Sequence, residues 1–262
     1  MADRPILFSA PMVQALLREA RQPGTGKTQT RRLLKPQPPE WATFCQQPSM
    51  LNVEHRWVPS GLWRWSEPEQ TPRRPLRSWP VDAEGEHYWM RLPWQVGDRL
   101  WVRESWRTLQ KVDCLKPRDL ADDRSKVTYE ADPENRNRLW ALGKLRPSLF
   151  MPRWASRLTL LVTDVRVERL QDISEGDATA EGVELESADP PFHYVPGIWP
   201  HSITAVGVEE PGGRHAARSF AKLWGHINGP ESWQANPWVV AVTFSVHARN
   251  IDQLAPIAEA AE

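Results

Sequence analysis

The chain has 262 residues, of which 40% are hydrophobic, enough for one sizeable core or two small ones. Its 33 basic and 33 acidic residues cancel, which excludes a uniformly basic nucleic-acid-binding coat but leaves local basic patches open. The only two cysteines lie far apart, so neither a disulfide framework nor a thiolate zinc site is indicated. With no leader pattern and no apolar run near the roughly 20 residues of a spanning helix, we expect a soluble cytoplasmic protein without a membrane partner.

Tryptophan and proline are unusually frequent, with 15 and 25 copies. Indole rings suit hydrophobic cores and also platforms on which nucleic-acid bases stack. Prolines favour extended segments, turns and irregular loops over a helical bundle.

The N-terminal elements are predicted from apolar spacing. Residues 5–8 are expected to form a short buried strand, and residues 10–21 an amphipathic helix with Pro11 in its first turn. Pro23 and Gly24 end that helix, and a polar loop follows.

The remaining elements are separated by three long insertions near residues 38–93, 109–146 and 184–213. Residue spacing predicts strands at 62–65 and 87–92, which pair as a hairpin, and further strands at 99–106, 126–130, 158–170 and 238–246. Asp164 marks a bend in the strand at 158–170. Two more helices are predicted, a short one from Ser174 to Glu181 and a longer one at 216–227. Short strands with few helices predict an α+β class: a small mixed β barrel with flanking helices and long loop insertions. We expect one domain over residues 1–246 and a flexible tail over 247–262.

The most distinctive stretch is the polar loop from Gly24 to Arg32, which holds Lys27, Gln29 and Thr30. Six basic residues and one acid lie between Arg18 and Lys35, which fits an anion site or a solvated charged face. The Gly-Lys-Thr triplet is not a phosphate-binding loop, because the required earlier glycine is replaced by Arg21 and the strand–loop–helix order is reversed.

Other catalytic patterns are missing from the sequence. The seven histidines form no pair at i, i+4, and neither a GxSxG elbow nor an HxE…PCxxC zinc-deaminase signature occurs. We therefore expect no metal site and no cofactor.

Several motifs together resemble the ASCH domain family, which belongs to the PUA-like superfamily of small β barrels. They are Lys-x-x-Thr-x-Arg at Lys27, Thr30 and Arg32, directly after Gly26, the turn and strand from Gly97 to Val102, and the short helix within 173–182. The likeness covers about residues 5–246, apart from the insertions, and longer phrases resemble ASCH-type proteins of bacteriophages and prophages. The resemblance implies a PUA-like fold and a bacterial host cell.

The same resemblance implies RNA, a modified nucleoside or nucleic acid as partner. Some ASCH proteins are amidohydrolases that remove acetyl from N4-acetylcytidine, and their catalytic trio corresponds to Lys27, Thr30 and Glu181. Other members are ribonucleases, and the superfamily contains many readers of RNA or modified bases. In this chain residues 21–25 lengthen the approach to Lys27.

The chemistry of such a trio places geometric demands on the chain. Thr30 as nucleophile needs a proton acceptor, and Lys27 serves as one where burial or a neighbouring guanidinium such as Arg31 lowers its pKa. In a straight strand, residues 27 and 30 point to opposite faces, so the loop has to bend before Thr30. Glu181 at the C-terminal end of its helix opposes the macrodipole, which indicates either another task or an exposed, frayed end.

Further polar and aromatic residues are candidates for substrate or nucleic-acid binding. They are Gln29, Arg32, Arg103, Glu104, Trp106, Arg153 and Trp154. Arginine pairs with phosphate, glutamate accepts from a cytosine amine and tryptophan stacks on bases. A buried Arg–Glu pair and core tryptophans are the alternative interpretation.

Three hypotheses of function remain open. The first is an amide hydrolase acting on acylated cytidine or a related nucleoside, with Thr30 as nucleophile, Lys27 as base and Glu181 as relay. The second is a non-catalytic reader of RNA or modified bases. The third is a phage accessory protein whose pocket is vestigial. Convergence of Lys27, Thr30 and Glu181 within hydrogen-bond reach in one concave pocket would support either of the first two hypotheses, and their dispersal would remove the catalytic one. The third is favoured if neither nucleosides nor nucleic acid bind.

Overall fold

A computed structural model describes residues 2–41, 43–66, 87–132, 134, 142–188, 191–195 and 215–254. Its helices are α1 (Ala10–Arg21), α2 (Glu175–Ala180) and α3 (His215–Asn228). Its strands are β1 (Asp3–Leu7), β2 (Gln29–Leu33), β3 (Phe44–Gln46), β4 (Ser49–Leu51), β5 (Trp57–Pro59), β6 (Leu62–Ser66), β7 (His87–Arg91), β8 (Arg99–Arg103), β9 (Trp106–Arg107), β10 (Thr128–Tyr129), β11 (Thr159–Arg169), β12 (Glu184–Ala188), β13 (Pro191–Tyr194) and β14 (Trp238–His247). The central part of the first insertion and most of the third lie outside the described residues.

A five-stranded sheet in the order β1-β8-β11-β14-β2 forms the centre of the fold. β1 runs parallel to β8, and the other neighbours are antiparallel. The α+β class is confirmed, but in the described part of the chain no ladder joins β1 to β2, so the sheet is open and the expected barrel does not close. The two edges meet instead through a side chain, because Arg32 Nη2 donates to the Leu7 carbonyl over 2.6 Å.

Strand β14 is apolar over most of its length, whereas β11 is buried mainly in its first half. Residues 238–242 of β14 are all buried, and α1 packs against this strand with the face that carries Met12 and Leu16. The predicted bend in β11 is confirmed as a register shift between Val162 and Asp164. Helices α1, α2 and α3 begin and end within two residues of their predicted bounds.

The insertions attach to this core through tryptophan. The predicted hairpin of β6 and β7 is confirmed, and its Trp65 is fully buried edge-on against Trp238, with ring centroids 6.1 Å apart. A second, small cluster forms around Trp106 and Met151. Residues 248–254, expected in the flexible tail, include the buried Asn250 and Ile251, because the Asn250 amide donates to three carbonyls of the segment 153–156.

The polar loop between α1 and β2 lies directly on α1. The Glu19 carboxylate accepts from the backbone N–H of Gly24 at 3.0 Å and of Gly26 at 2.9 Å. These two loop amides therefore point at a carboxylate of the chain itself, which gives a structural reason why the loop does not bind phosphate. A Cβ on Gly26 would lie 2.2 Å from the Ala15 carbonyl oxygen, so only glycine allows this approach.

We expect Gly26→Ala to destabilise the fold by about 2 kcal/mol or more, because the clash is with backbone atoms that move only together with the helix. Gly225→Ala is the matched control, since its Cβ would meet nothing closer than 3.9 Å. An alanine there should leave stability unchanged or raise it by about 0.5–1 kcal/mol. Equal midpoints of urea unfolding for the two variants would contradict the close approach.

Candidate functional site

A cavity of about 420 Å³ lies where the two edges of the sheet approach each other. Its walls come from the end of β1, the start of α1, the segment 27–33, the end of α2 and the last turns of α3. The lining residues are Leu7, Phe8, Ser9, Pro11, Met12, Lys27, Thr30, Arg31, Arg32, Leu33, Glu181, Leu223, Trp224, His226, Ile227 and Asn228. Lys27, Thr30 and Glu181, which lie up to 154 positions apart in the chain, thus meet at one cavity.

Lys27 and Glu181 form a buried ion pair in the wall of this cavity. Lys27 Nζ donates over 2.6 Å to Glu181 Oε2 and over 2.6 Å to the Glu181 backbone carbonyl, and both side chains are at most 4% exposed. Burial lowers the pKa of the Lys27 ammonium below its ordinary value, while the charge and hydrogen bond of Glu181 act in the opposite direction. Arg31 and Arg32 add to the lowering. The result is a lysine held closer to its neutral, proton-accepting form.

The backbone around Lys27 explains how its side chain reaches Glu181. Strand β2 begins only at Gln29, so Lys27 precedes it and is not bound by the alternation of strand faces. Its N–H donates to the Ala15 carbonyl over 3.2 Å, and the next N–H, of Thr28, donates to the Ala180 carbonyl over 2.9 Å. These two bonds attach the loop to α1 and α2. The Lys27 and Thr30 side chains both border the cavity, but no hydrogen bond joins them, because both bonds of Lys27 Nζ go to Glu181.

Thr30 lies within β2, the edge strand of the sheet. Since β14 occupies one side of β2, the cavity lies along its other side, and residues of both strand faces line it. The Thr30 side chain is 4% exposed, and its hydroxyl makes no hydrogen bond to any described residue. The hydroxyl is therefore available to a group bound in the cavity.

Arg31 joins the ion pair to a wider buried network. Its Nη2 bonds to Glu168 Oε1 at 2.5 Å and lies 3.2 Å from Asp177 Oδ2, while its Nη1 donates to Gln29 Oε1 at 2.6 Å and lies 3.4 Å from Glu181 Oε1. Three carboxylates thus surround one guanidinium and fix both the strand and the start and end of α2. Gln29, expected to bind substrate, belongs to this network and is not among the residues that line the cavity.

Arg32 borders the cavity on the side of β1. Its guanidinium lies 5.0 Å from the centroid of the Phe8 ring, and burial lowers its pKa. Its Nη2 bonds to the Leu7 carbonyl, whereas its buried Nε has no partner among the described residues. An unsatisfied donor beside an aromatic face suits the carbonyl or ring nitrogen of a planar ligand.

The other predicted binding residues lie away from the cavity. Glu104 is 1% exposed and holds Arg157 through two hydrogen bonds of 2.8 and 2.9 Å, so the buried Arg–Glu pair exists with Arg157 as the partner of Glu104. Trp106 is a core residue of the small cluster, and Trp154 packs against the same cluster. Arg153 forms ion pairs with Asp3 and Asp252. Arg103 lines a different groove, described below.

Two lining residues had no signal in the sequence. His226 is exposed at the last turn of α3, and Trp224 is buried one turn before the helix ends. The sequence predicts both residues only as part of an amphipathic helix, because no pattern within the helix shows that its end lies beside β2. Nothing in the sequence around Glu168 predicts its contact with Arg31 either. The two residues meet only because β11 and β2 lie on either side of β14 in the sheet.

The described residues give no evidence of a metal or membrane site. Within them, no three His, Cys, Asp or Glu side chains are placed to hold a metal ion. None of the described helices is both long and apolar enough to cross a bilayer.

Asp177 gives a pH-dependent test of the network. Its burial raises the pKa of the carboxyl, but hydrogen bonds from Arg166, Ser174 and Gln29 outweigh that effect and hold the pKa well below its ordinary value of 3.8. A carboxylate of this kind stabilises the fold above its unfolded pKa, and the stabilisation is lost as the pH falls towards the folded value.

We expect Asp177→Asn to lower the free energy of unfolding by roughly 1–2 kcal/mol at neutral pH, through loss of the capping box and the arginine contacts. The difference from the unsubstituted chain should stay constant above about pH 5 and shrink at lower pH. Urea unfolding followed by circular dichroism measures it. The exposed Asp119→Asn should change little at any pH, and a difference for Asp177→Asn that grows in acid would be inconsistent with the network.

Known proteins offer no likeness from which a family follows for this chain. No family model, no curated protein and no solved structure matches it. The site itself consists of a cavity, a buried lysine–glutamate pair, a threonine hydroxyl without a hydrogen-bond partner among the described residues and a guanidinium beside an aromatic ring.

Proposed function

We propose that the protein is an ASCH-type hydrolase with a PUA-like fold, and that its cavity takes an acylated nucleoside base. The observation that carries the proposal is the buried Lys27–Glu181 pair in the same cavity wall as Thr30. These are the three positions at which the sequence resembles the catalytic trio of ASCH amidohydrolases. An open five-stranded sheet with α1 between its two edge strands is compatible with a small, incompletely closed barrel.

The cavity has the size and polarity for such a ligand. About 420 Å³ lies within the range of small-molecule sites, so it has room for a planar base with a short acyl group. Phe8, Met12 and Trp224 supply apolar walls, and Arg32 supplies a donor. An amide on the exocyclic nitrogen of cytosine would thus be held between an apolar wall and the polar side of β2.

The reaction follows from the roles of the three side chains. Neutral Lys27 takes the proton of the Thr30 hydroxyl while the Thr30 oxygen attacks the carbon of the acyl carbonyl. When the carbon–nitrogen bond breaks, Lys27 returns that proton to the departing amine, and an ester on Thr30 remains. Lys27 then takes a proton from a water molecule whose oxygen attacks the ester carbonyl carbon. As the bond to the Thr30 oxygen breaks, Lys27 returns that proton to the Thr30 oxygen, and the carboxylic acid is released with the hydroxyl restored. Glu181 holds the lysine in place and stabilises its charged form between these steps.

Deacylation of N4-acetylcytidine is the direct test. We expect the unsubstituted chain to release cytidine and acetate, and Thr30→Val, which has the same shape without the hydroxyl, to lose at least about 10³-fold in kcat. Thr30→Ser, which keeps a hydroxyl, should retain measurable hydrolysis. Chromatography of the nucleosides follows the reaction. No cytidine at enzyme levels where a known deacetylase reacts would exclude this substrate, and full activity of Thr30→Val would exclude the nucleophile.

Binding without hydrolysis is the second candidate function. One observation favours it: both Lys27 hydrogen bonds go to Glu181 and none to Thr30, an arrangement that also occurs in structural ion pairs. In that case the cavity reads a modified base of RNA or DNA, and Arg32 provides the recognition.

The two candidates separate in a binding experiment on the same nucleoside. A reader should retain base-dependent binding in Thr30→Ala and lose it by about tenfold or more in Arg32→Ala, because removing a charged donor costs at least about 1.4 kcal/mol. Isothermal calorimetry with acetylated and plain cytidine measures both effects. Absence of nucleoside binding in the unsubstituted chain would contradict both candidates and favour an accessory protein with a vestigial pocket.

A further inference from the structure

A second concave surface lies next to the cavity, where the chain between β9 and β11 folds back over the end of β8. It is a groove of about 470 Å³ lined by Arg103, Lys116, Arg118, Leu149 and Phe150, among others. We call it the insertion groove, because Lys116 and Arg118 belong to the second insertion. The function proposed above does not use it.

The insertion groove and the cavity share a boundary of one residue pair. In the parallel ladder of β1 and β8, Leu7 pairs with Arg103, and the Phe8 N–H donates to the Arg103 carbonyl over 3.0 Å. Leu7 and Phe8 line the cavity, whereas Arg103 lines the groove. A chain-like ligand with one unit in the cavity would therefore pass over Arg103 into the groove.

The chemistry of the groove combines positive charge with an exposed ring. Arg103, Lys116 and Arg118 line it, and among the described residues no carboxylate does. The Arg118 side chain is 78% exposed, and its contact with the exposed Asp119, at 3.6 Å, is of the weak surface kind. Phe150 is 57% exposed and Leu149 56%, which is unusual for large apolar side chains at the wall of a groove.

Arg103 is prepared for an anionic or planar partner. Its guanidinium lies 4.4 Å from the centroid of the Trp101 ring and donates from Nη1 to the Leu149 carbonyl. Its Nε is buried and has no partner within the described residues. The side chain as a whole is only half-buried and lines the groove, so the guanidinium lies at the junction of the two concave surfaces with N–H groups that a ligand can reach.

We propose that the insertion groove binds single-stranded nucleic acid that flanks the base in the cavity. Lys116 and Arg118 contact its phosphates, Arg103 contacts the phosphate next to the cavity, and Phe150 stacks on a neighbouring base. This inference rests on the proposed function, because the cavity defines which nucleotide is bound. It also assigns a role to the second insertion: the polymer is held by residues outside the motifs that resemble the ASCH family.

The experiment measures binding of a fluorescein-labelled single-stranded RNA of about 12 nucleotides at several salt concentrations. Each phosphate contact to a single strand contributes about 0.7 to the slope of log K against log salt. We expect Lys116→Ala/Arg118→Ala to reduce that slope by about 1.4, and Phe150→Ala to weaken binding by about fivefold or more. Arg56→Ala/Arg249→Ala is the control, because it removes two exposed charges that do not line the groove. It should change the salt slope by less than half of the change of about 1.4 expected for the groove variant.

The cavity is assayed separately with N4-acetylcytidine alone. The groove variants should bind and process this nucleoside as the unsubstituted chain does, because they do not touch the cavity. An unchanged salt slope together with full affinity in Phe150→Ala would overturn the groove while leaving the proposed function intact. If the groove variants weaken RNA binding as expected but the unsubstituted chain hydrolyses no N4-acetylcytidine, the proposed catalysis would be overturned and the groove would stand.

Two further outcomes count against the inference. Equal competition by a poly-glutamate peptide of the same length would make the partner an acidic protein segment. Loss of mononucleoside binding in the Lys116→Ala/Arg118→Ala variant would show that the groove is not a separate surface. Competition by unlabelled RNA but not by the peptide, with mononucleoside binding unchanged, supports the proposal.

Discussion

The buried contact between Lys27 and Glu181 is the interaction on which the site depends. It joins a loop near the N-terminus to the end of a short helix more than 150 positions later. Placing two charges out of water is costly, and their attraction offsets that cost only when geometry and further hydrogen bonds are good. Here Lys27 makes two bonds of 2.6 Å, and Glu181 also faces Arg31. Removing Glu181 would leave Lys27 as an uncompensated buried charge, whereas Glu181 without Lys27 would still face Arg31.

The same network sets the shape of the cavity. Arg31 is surrounded by Glu168, Asp177 and Glu181, so β2 is held against α2 through charge rather than through apolar packing. Buried polar residues on an edge strand would otherwise be unfavourable, because they lose water without gaining partners. The opposite edge contributes Leu7 and Phe8, and Arg32 bridges to it. An incompletely closed sheet thereby gains a polar pocket at its opening, where a closed ladder would leave no space.

The first two insertions have different structural roles. The first places Trp65 in the main core, against Trp238, and so adds apolar area to the centre of the fold. The second packs Leu120, Val127 and Tyr129 against the small cluster around Trp106. It also places Lys116 and Arg118 in the groove beside the exposed Phe150 ring. Most of the described tryptophans that are buried pack in these clusters, so the abundance of indole reflects packing more than base stacking. The groove proposed above to bind nucleic acid is lined instead by arginine, lysine and phenylalanine.

The sequence by itself determined the helices and the long strands, and it nominated three candidate site residues. Apolar periodicity located the three helices and the long strands, because burial of one face leaves a local record, and Gly, Pro and capping residues marked their ends. A motif resemblance singled out Lys27, Thr30 and Glu181. Only the tertiary structure decided that these side chains meet, that Gln29 belongs to the supporting network, and that Glu104 pairs with Arg157. Those outcomes depend on strand register and on contacts between distant segments, such as those that attach the loop to α1 and α2, and neither leaves a local pattern in the chain.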